Sequence, residues 1–181
     1  EKVIPERAGF VVPGHPIAGS EKAGAQAADE NLFVGKNVVL CPLSQTRASA
    51  LSAVRELWQS CGAHVSTMSE DKHDKIFSAV SHLPHVVSYA LVEMMNRRTD
   101  SEELFDFAAG GFRDFSRIAG SSSEMWVDIC RANNEHIVDD VESFIASLET
   151  IRELLKSGNY GALQRIFGAA AAARNNWASK Q

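Results

Sequence analysis

Lys36-Asn37-Val38-Val39-Leu40-Cys41-Pro42, then a stretch of helical periodicity, then His64-Val65-Ser66-Thr67-Met68: this order sets the class of the first third of the chain. The first of these is an apolar run that reads as a strand stopped by Pro42. Ser44 or Thr46 can open the helix that follows, whose apolar positions Leu51, Val54, Leu57 and Trp58 recur at helical spacing and which Gly62 closes. His64 to Met68 is the second strand. A strand, helix, strand unit builds a parallel sheet. Upstream, Gly9-Phe10-Val11-Val12 reads as a short buried strand, and Ala27 to Phe33 as a short helix. Residues 1–67 therefore hold part of an open α/β domain, which usually needs about five or six strands when complete.

From Ser69 onward helices take over. Ile76, Val80, Leu83, Val87, Leu91 and Met94 form one stripe, predicting a long amphipathic helix over residues 70–98. Pro84 lacks an N–H and clashes with the preceding turn, so a kink is expected between Val80 and Pro84. Opposite the stripe lie Ser78, Ser81, His85 and Ser88. An exposed polar face is the ordinary reading, but small uncharged polar groups beside a proline kink also suit a half-buried site. A second piece spans Glu102 to Ala109 and is broken by Gly110-Gly111. Ser121 with Glu124 forms a capping box ahead of the Trp126, Ile129, Cys130 face. Ile137, Val141, Phe144, Ile145, Leu148, Ile151 and Leu155 predict a long helix over 134–157 ending at Gly158. A last helix follows from Asn159 to about Ser179; its run of alanines permits close packing and is equally just good helix former.

At 181 residues with 45% hydrophobic content the chain can bury a core and is not disordered. The net charge of -5 argues against a nucleic-acid or membrane-surface partner, since both want a basic patch. No apolar run approaches the roughly 20 residues of a membrane span, and Glu1 to Glu6 lack a signal-peptide pattern, so a cytoplasmic protein is expected. Cys41, Cys61 and Cys130, odd in number and widely spaced, suit reduced, mostly buried thiols.

Function is carried by the loop Gly14-His15-Pro16-Ile17-Ala18-Gly19-Ser20-Glu21. Pro16 biases His15 toward an extended conformation, and the imidazole sits just past a predicted strand, where open α/β sheets bind ligands. Taken alone, a His in a Gly/Pro loop is more often a surface residue than a catalyst. Three segments in order alter that weighting: His15 to Glu21, Ser81-His82-Leu83-Pro84-His85, and Gly110-Gly111-Phe112-Arg113-Asp114-Phe115-Ser116-Arg117-Ile118-Ala119 followed by Met125-Trp126. Together they resemble the prephenate dehydrogenase family, which includes arogenate and cyclohexadienyl dehydrogenases. The resemblance implies a mainly α chain: the C-terminal half of a Rossmann-like, dinucleotide-binding α/β domain over 1–67, then an all-helical substrate-binding and dimerisation domain over 68–181. The Gly-rich phosphate-binding turn of such a domain does not occur in the sequence.

What the resemblance implies for chemistry is oxidative decarboxylation of prephenate to 4-hydroxyphenylpyruvate in tyrosine biosynthesis, with hydride transfer to NAD or NADP. His15 is then the catalytic base for the ring hydroxyl. Ser20, Glu21, His85, Arg117 and Trp126 fall on the substrate, Pro16 and Gly19 on the cofactor. Arg117 suits a carboxylate because guanidinium presents a planar bidentate fork, although Asp114 can instead pair with it across one helical turn. A plain surface carboxylate remains open for Glu21, and a core role for Trp126. His85 tilts the substrate toward prephenate; an arogenate or dual-specificity enzyme is the alternative, as is an inactive helical dimerisation module. Among six histidines, His82 and His85 lie at i, i+3, but no acidic or Cys ligand stands beside them at metal spacing, so no metal is expected. A homodimer is expected.

Overall fold

The computed structural model describes residues 5–19 and 28–180. The chain divides into two compact units, Glu1–Asn133 and Asn134–Gln181.

In the first unit β2 (Asn37–Leu40) is the middle of a three-stranded sheet, between β1 (Gly14–Pro16), which runs antiparallel to it, and β3 (His64–Thr67), which runs parallel. Val38, Val39 and Leu40 are all buried, as an unbroken apolar run requires when both faces of a strand are covered. Helix α1 (Ala48–Ser60) joins β2 to β3 and sets Leu51, Val54 and Trp58 against Val38, Leu40 and Ala63. The Phe33 ring meets Trp58 edge-on at 5.0 Å. Arg55 reaches across to donate to the Val65 carbonyl and the Thr67 hydroxyl. The helix ends in a Schellman turn: Ala63 N–H donates to the Trp58 carbonyl and Gly62 N–H to that of Gln59, with Gly62 at φ 79°.

Two expectations for this part change. Gly9 to Val12 is not a strand: Pro5–Phe10 is a 3₁₀ helix, and the strand is the shorter Gly14–Pro16. The backbone of 9–12 is bonded elsewhere, because Gly9 and Val11 offer their carbonyls to Arg47 N–H and the Thr46 hydroxyl. Val12 still packs on the core, so the apolar residues point inward without the ladder. Thr46 is thereby committed to that contact and to Leu43 N–H, and α1 starts beyond it with Arg47 at the N-cap and no side-chain cap. Residues 30–35 form turns instead of a helix, and Ala27 lies outside the described residues.

After β3, Ser69 caps α2 (Glu70–Phe77) by accepting from Lys72 N–H. Ser78–His82 is a π-helical turn, and α3 (Leu83–Asn96) carries Pro84 in its first turn. Proline removes one donor and crowds the carbonyl four residues back; a wider turn relieves both, so the predicted kink takes this form. The faces of this helical run are not arranged as plain amphipathicity suggests. Val80 and Met94 of the apolar stripe are exposed, whereas Ser78 and Ser88 on the opposite face are fully buried. Ser88 donates to the Phe115 carbonyl and Tyr89 to that of Ser121, which draws α3 against α5 (Gly110–Ser116) and the 3₁₀ turn Arg117–Gly120. Between α3 and α5 lies the short α4 (Ser101–Asp106). The helix expected to run to Ala109 ends at Asp106, with Phe107 at its C-cap, and Gly110 and Gly111 begin the next helix instead of breaking this one. Helix α6 (Ser123–Ala132) is capped by Ser122, which accepts from Met125 N–H, one residue later than the predicted box, because the Ser121 carbonyl is engaged by Tyr89.

The second unit is a pair of helices, α7 (Asn134–Lys156) and α8 (Tyr160–Ala178). Gly158 at φ 65° makes the turn, Asn159 N–H donates to the Leu154 carbonyl, and the Asn159 side chain caps α8 through Ala162 N–H. Of the three free cysteines none is buried, and Cys61 is exposed, contrary to the expectation of mostly buried thiols.

The Gly62 turn carries a direct prediction. A Cβ there would sit 3.2 Å from Val34 Cγ2 and 3.3 Å from Val34 Cα, and would be held at positive φ. Gly62→Ala should therefore lose stability by about 1–2 kcal/mol. Urea unfolding followed by circular dichroism reads this, and an unchanged midpoint would contradict the strain.

Candidate active site

The site begins with β1. Ladder pairing puts His15 opposite Val39, and Ile17 N–H extends the register by donating to the Asn37 carbonyl at 2.8 Å. Gly14 permits this approach, since a Cβ at that position would lie 3.0 Å from Leu40 Cδ2. His15 is therefore on the strand and not beyond its end. Its ring turns toward α2, where Nδ1 lies 2.8 Å from His73 Nε2, and His73 Nδ1 lies 2.8 Å from Asp74 Oδ1. The Phe77 ring, one turn after His73, backs both imidazoles at centroid distances of 4.8 and 4.5 Å. Burial, and secondarily the neighbouring His73, hold the His15 pKa below the ordinary histidine value. The imidazole is neutral at pH 7, the form that accepts a proton.

A cleft of about 700 Å³ opens beside His15. His15, Pro16, Gly19, His85, Arg117 and Trp126 all line it, and so do Ser81, Phe77 and Met125, which the motifs did not single out as site residues. Ser20 and Glu21 lie outside the described residues. His85 Nδ1–H donates to the Ser81 carbonyl at 2.8 Å, and the ring stacks on Trp126 at 3.7 Å with 21° between planes. Trp126 is buried, so the core reading holds as far as packing goes; yet it also faces the cleft, and its Nε1 has no hydrogen-bond partner among the described residues. His82 is turned away: Asn133 Nδ2 donates to its Nδ1 at 3.1 Å and to the Asp74 carbonyl at 2.8 Å. Burial is the largest influence on His82 and lowers its pKa.

Arg117 is exposed at the cleft, and among the described residues no carboxylate lies within ion-pair range of it. Asp114 does not hold it. One unpaired guanidinium, two imidazoles, two serines and a floor of aromatic and aliphatic side chains suit a small ring compound bearing a carboxylate. Pro16 to Gly19 line the same cleft beside the His15 imidazole. A Gly-x-Gly-x-x-Gly turn to hold the pyrophosphate does not occur in the sequence.

His73 and Asp74 are the residues that sequence reading missed. Fifty-eight positions separate His15 from His73, and no local pattern joins them. The one available signal was the i, i+4 pair of His73 and Phe77 at the start of a helix that leaves a strand.

Comparison with known proteins covers both parts of the chain. The model of the prephenate dehydrogenase nucleotide-binding domain matches residues 1–67, and that of the prephenate dehydrogenase dimerization domain matches residues 69–169. Prephenate dehydrogenase of Bacillus subtilis is 38% identical over 174 residues, covering 94% of this chain and 46% of the relative. The crystal structure of prephenate dehydrogenase from A. aeolicus in complex with hydroxyphenyl propionate and NAD+ superposes with a TM-score of 0.85 at 39% identity, over 90% of this chain and 57% of that one. Synechocystis arogenate dehydrogenase gives a TM-score of 0.80 at 27% identity, over 92% of this chain and 61% of that one. The chain spans about half the length of the curated relatives it matches. With family models over both parts and a cleft that gathers the described motif residues, the chain belongs to the prephenate dehydrogenase family.

Proposed function

We propose that this chain forms the substrate cleft and part of the nucleotide-binding domain of an NAD- or NADP-dependent dehydrogenase that oxidatively decarboxylates prephenate to 4-hydroxyphenylpyruvate. The observation that carries this reading is the convergence of a desolvated, neutral His15 and an unpaired Arg117 on one cleft. The reaction removes a hydride and carbon dioxide from a 4-hydroxycyclohexadiene acid, and aromatisation drives it. His15 takes the proton of the ring hydroxyl, Arg117 grips a carboxylate, and the Phe77, Ile118 and Trp126 side chains exclude water around the ring. Pro16 and Gly19 would hold the nicotinamide, which would supply the hydride acceptor. His85, stacked on Trp126 with Nδ1–H committed to Ser81, presents Nε2 as an acceptor to the substrate; Ser20 and Glu21 are assigned to the substrate on the motif alone. Arogenate or dual specificity is the second reading, favoured by the likeness to an arogenate dehydrogenase.

The same proposal divides the chain at 67/68, with a Rossmann-like half before and a helical substrate-binding and dimerisation part after, on the strength of the two family matches and the parallel β2–β3 pair. A homodimer is proposed because the α7–α8 pair, taken by itself, leaves Ile145, Leu148, Leu155, Phe167 and Trp177 about half or more exposed. Among the described residues no helix is long and apolar enough to cross a membrane. We place the protein in the cytoplasm on its acidic charge and free thiols.

Three measurements test this. In a protein that joins the chain to a complete nucleotide-binding domain, His15→Asn should cut kcat by about 10² to 10⁴ with little change in KM. A base works deprotonated, so wild-type activity should be full above the His15 pKa and fall as pH drops through it, on a limb below 6.5; His15→Asn should lack that limb, and a retained limb would assign the base elsewhere. Arg117→Ala should raise KM roughly 10- to 150-fold, the worth of about 1.5 to 3 kcal/mol, with a smaller effect on kcat. Equal losses in both parameters with a disturbed fold would make Arg117 structural. Finally, light scattering on the 181-residue polypeptide should show a dimer, and calorimetry no measurable NAD affinity. A monomer at tens of micromolar, or micromolar NAD binding, would each overturn its half of the proposal.

A further inference from the structure

We propose that His73 and Asp74 are positioning residues that hold His15 as its Nδ1–H tautomer and keep His15 Nε2 free to accept the substrate proton. This deepens the reading above and rests on it for the identity of the substrate. The geometry is a chain of three groups, Asp74 Oδ1 to His73 Nδ1 and His73 Nε2 to His15 Nδ1, each step 2.8 Å.

The direction of the hydrogen bonds follows from what each end can do. An ionised carboxylate only accepts, so His73 Nδ1 must carry the proton that lies against it. With His73 as the neutral imidazole, its single N–H is the one on Nδ1 and Nε2 is a lone pair. His15 Nδ1 faces that lone pair and must be the donor. His15 Nε2 then bears the ring's lone pair, and no described residue occupies it. In a neutral His73 the reverse order would set the Nδ1 lone pair against a carboxylate oxygen at 2.8 Å, which is repulsive.

Placement supports the division of labour. His15 lines both the substrate cleft and a second hollow of about 280 Å³; His73 and Asp74 line only the second, together with Cys41 and Glu70. They therefore act through His15 and do not touch substrate. His73 is mostly buried beneath Phe77, and Asn133 ties the Asp74 backbone in place, so the chain is held and not merely in reach. His82, His85 and Arg117 are the other basic groups near His15, and the carboxylates of Glu70 and Asp74 are on the far side from the cleft. When His15 Nε2 takes the hydroxyl proton, Nδ1–H goes on donating to His73 Nε2, so the ring keeps its orientation through the proton transfer.

Ring nitrogen-15 NMR of the 181-residue chain reads the tautomer directly and needs neither substrate nor cofactor. His15 should be protonated at Nδ1 in the wild type, and His73→Phe should move it to the Nε2–H form. Wild-type protonation at Nε2, or an Nδ1–H form indifferent to His73→Phe, would overturn the proposal. Should His73→Phe fail to fold, Asp74→Ala, at a partly exposed side chain, makes the same test: the Nδ1–H population should fall, and an unchanged population refutes the relay. In the complete dehydrogenase Asp74→Ala should lower kcat about tenfold or more, part of the 10² to 10⁴ that a positioned base is worth, with KM within about twofold. Wild-type kcat retained in Asp74→Ala would overturn the relay's catalytic role, whereas absent wild-type prephenate turnover with the tautomer shift intact would sink the substrate reading alone.

Discussion

The ladder between Gly14–Pro16 and Val38–Leu40 is the contact on which the rest of the site depends. A three-residue edge strand makes few hydrogen bonds of its own and stays in place because its partner is anchored. Val38 and Leu40 are fully buried, each worth about 1.5–3 kcal/mol relative to exposure, and α1 covers them with Leu51, Val54 and Trp58. That anchored strand fixes the position of His15 along the sheet. Gly14 makes the close approach sterically possible, so a feature of the backbone decides where an imidazole stands.

The second constraint is the proline in the long helical run. Without Pro84, residues 70–96 would continue as one regular helix and its side chains would repeat every 3.6 residues. The π turn at Ser78–His82 inserts extra angular travel between the half bearing His73 and Phe77 and the half bearing His85. His73 and Phe77 meet His15 from the first half, while His85 reaches Trp126 from the second. A helix terminus and a loop would do this less rigidly, because π-turn residues keep their backbone bonds.

Side-chain hydroxyls bonded to carbonyl oxygens complete the cleft. Ser88 and Tyr89 bond to the carbonyls of Phe115 and Ser121, which fixes the segment that carries Arg117 relative to α3. Large apolar side chains at those positions would hold α5 farther off. The exposed Val80 and Met94 are the converse of this arrangement, apolar surface left over when the polar face is the one that packs.

Much of this was legible in the chain of residues. The apolar run at 38–40, the positive-φ glycines at 62 and 158, the proline kink, and the long helices after residue 133 follow from local rules, since each depends on neighbours within a turn or two. The motifs located His15, His85, Arg117 and Trp126, which the fold gathers on one cleft. What local rules could not reach was set by contacts distant in sequence. Whether 9–12 or 14–16 forms the strand depends on which segment β2 and Thr46 claim, and whether Ser121 or Ser122 caps α6 depends on Tyr89. The face of α3 that packs inward depends on α5. The meeting of His15 with His73 and Asp74 depends on a strand pairing and a helix departure separated by 58 residues, and hydrogen bonds of that span leave no periodic trace in a sequence.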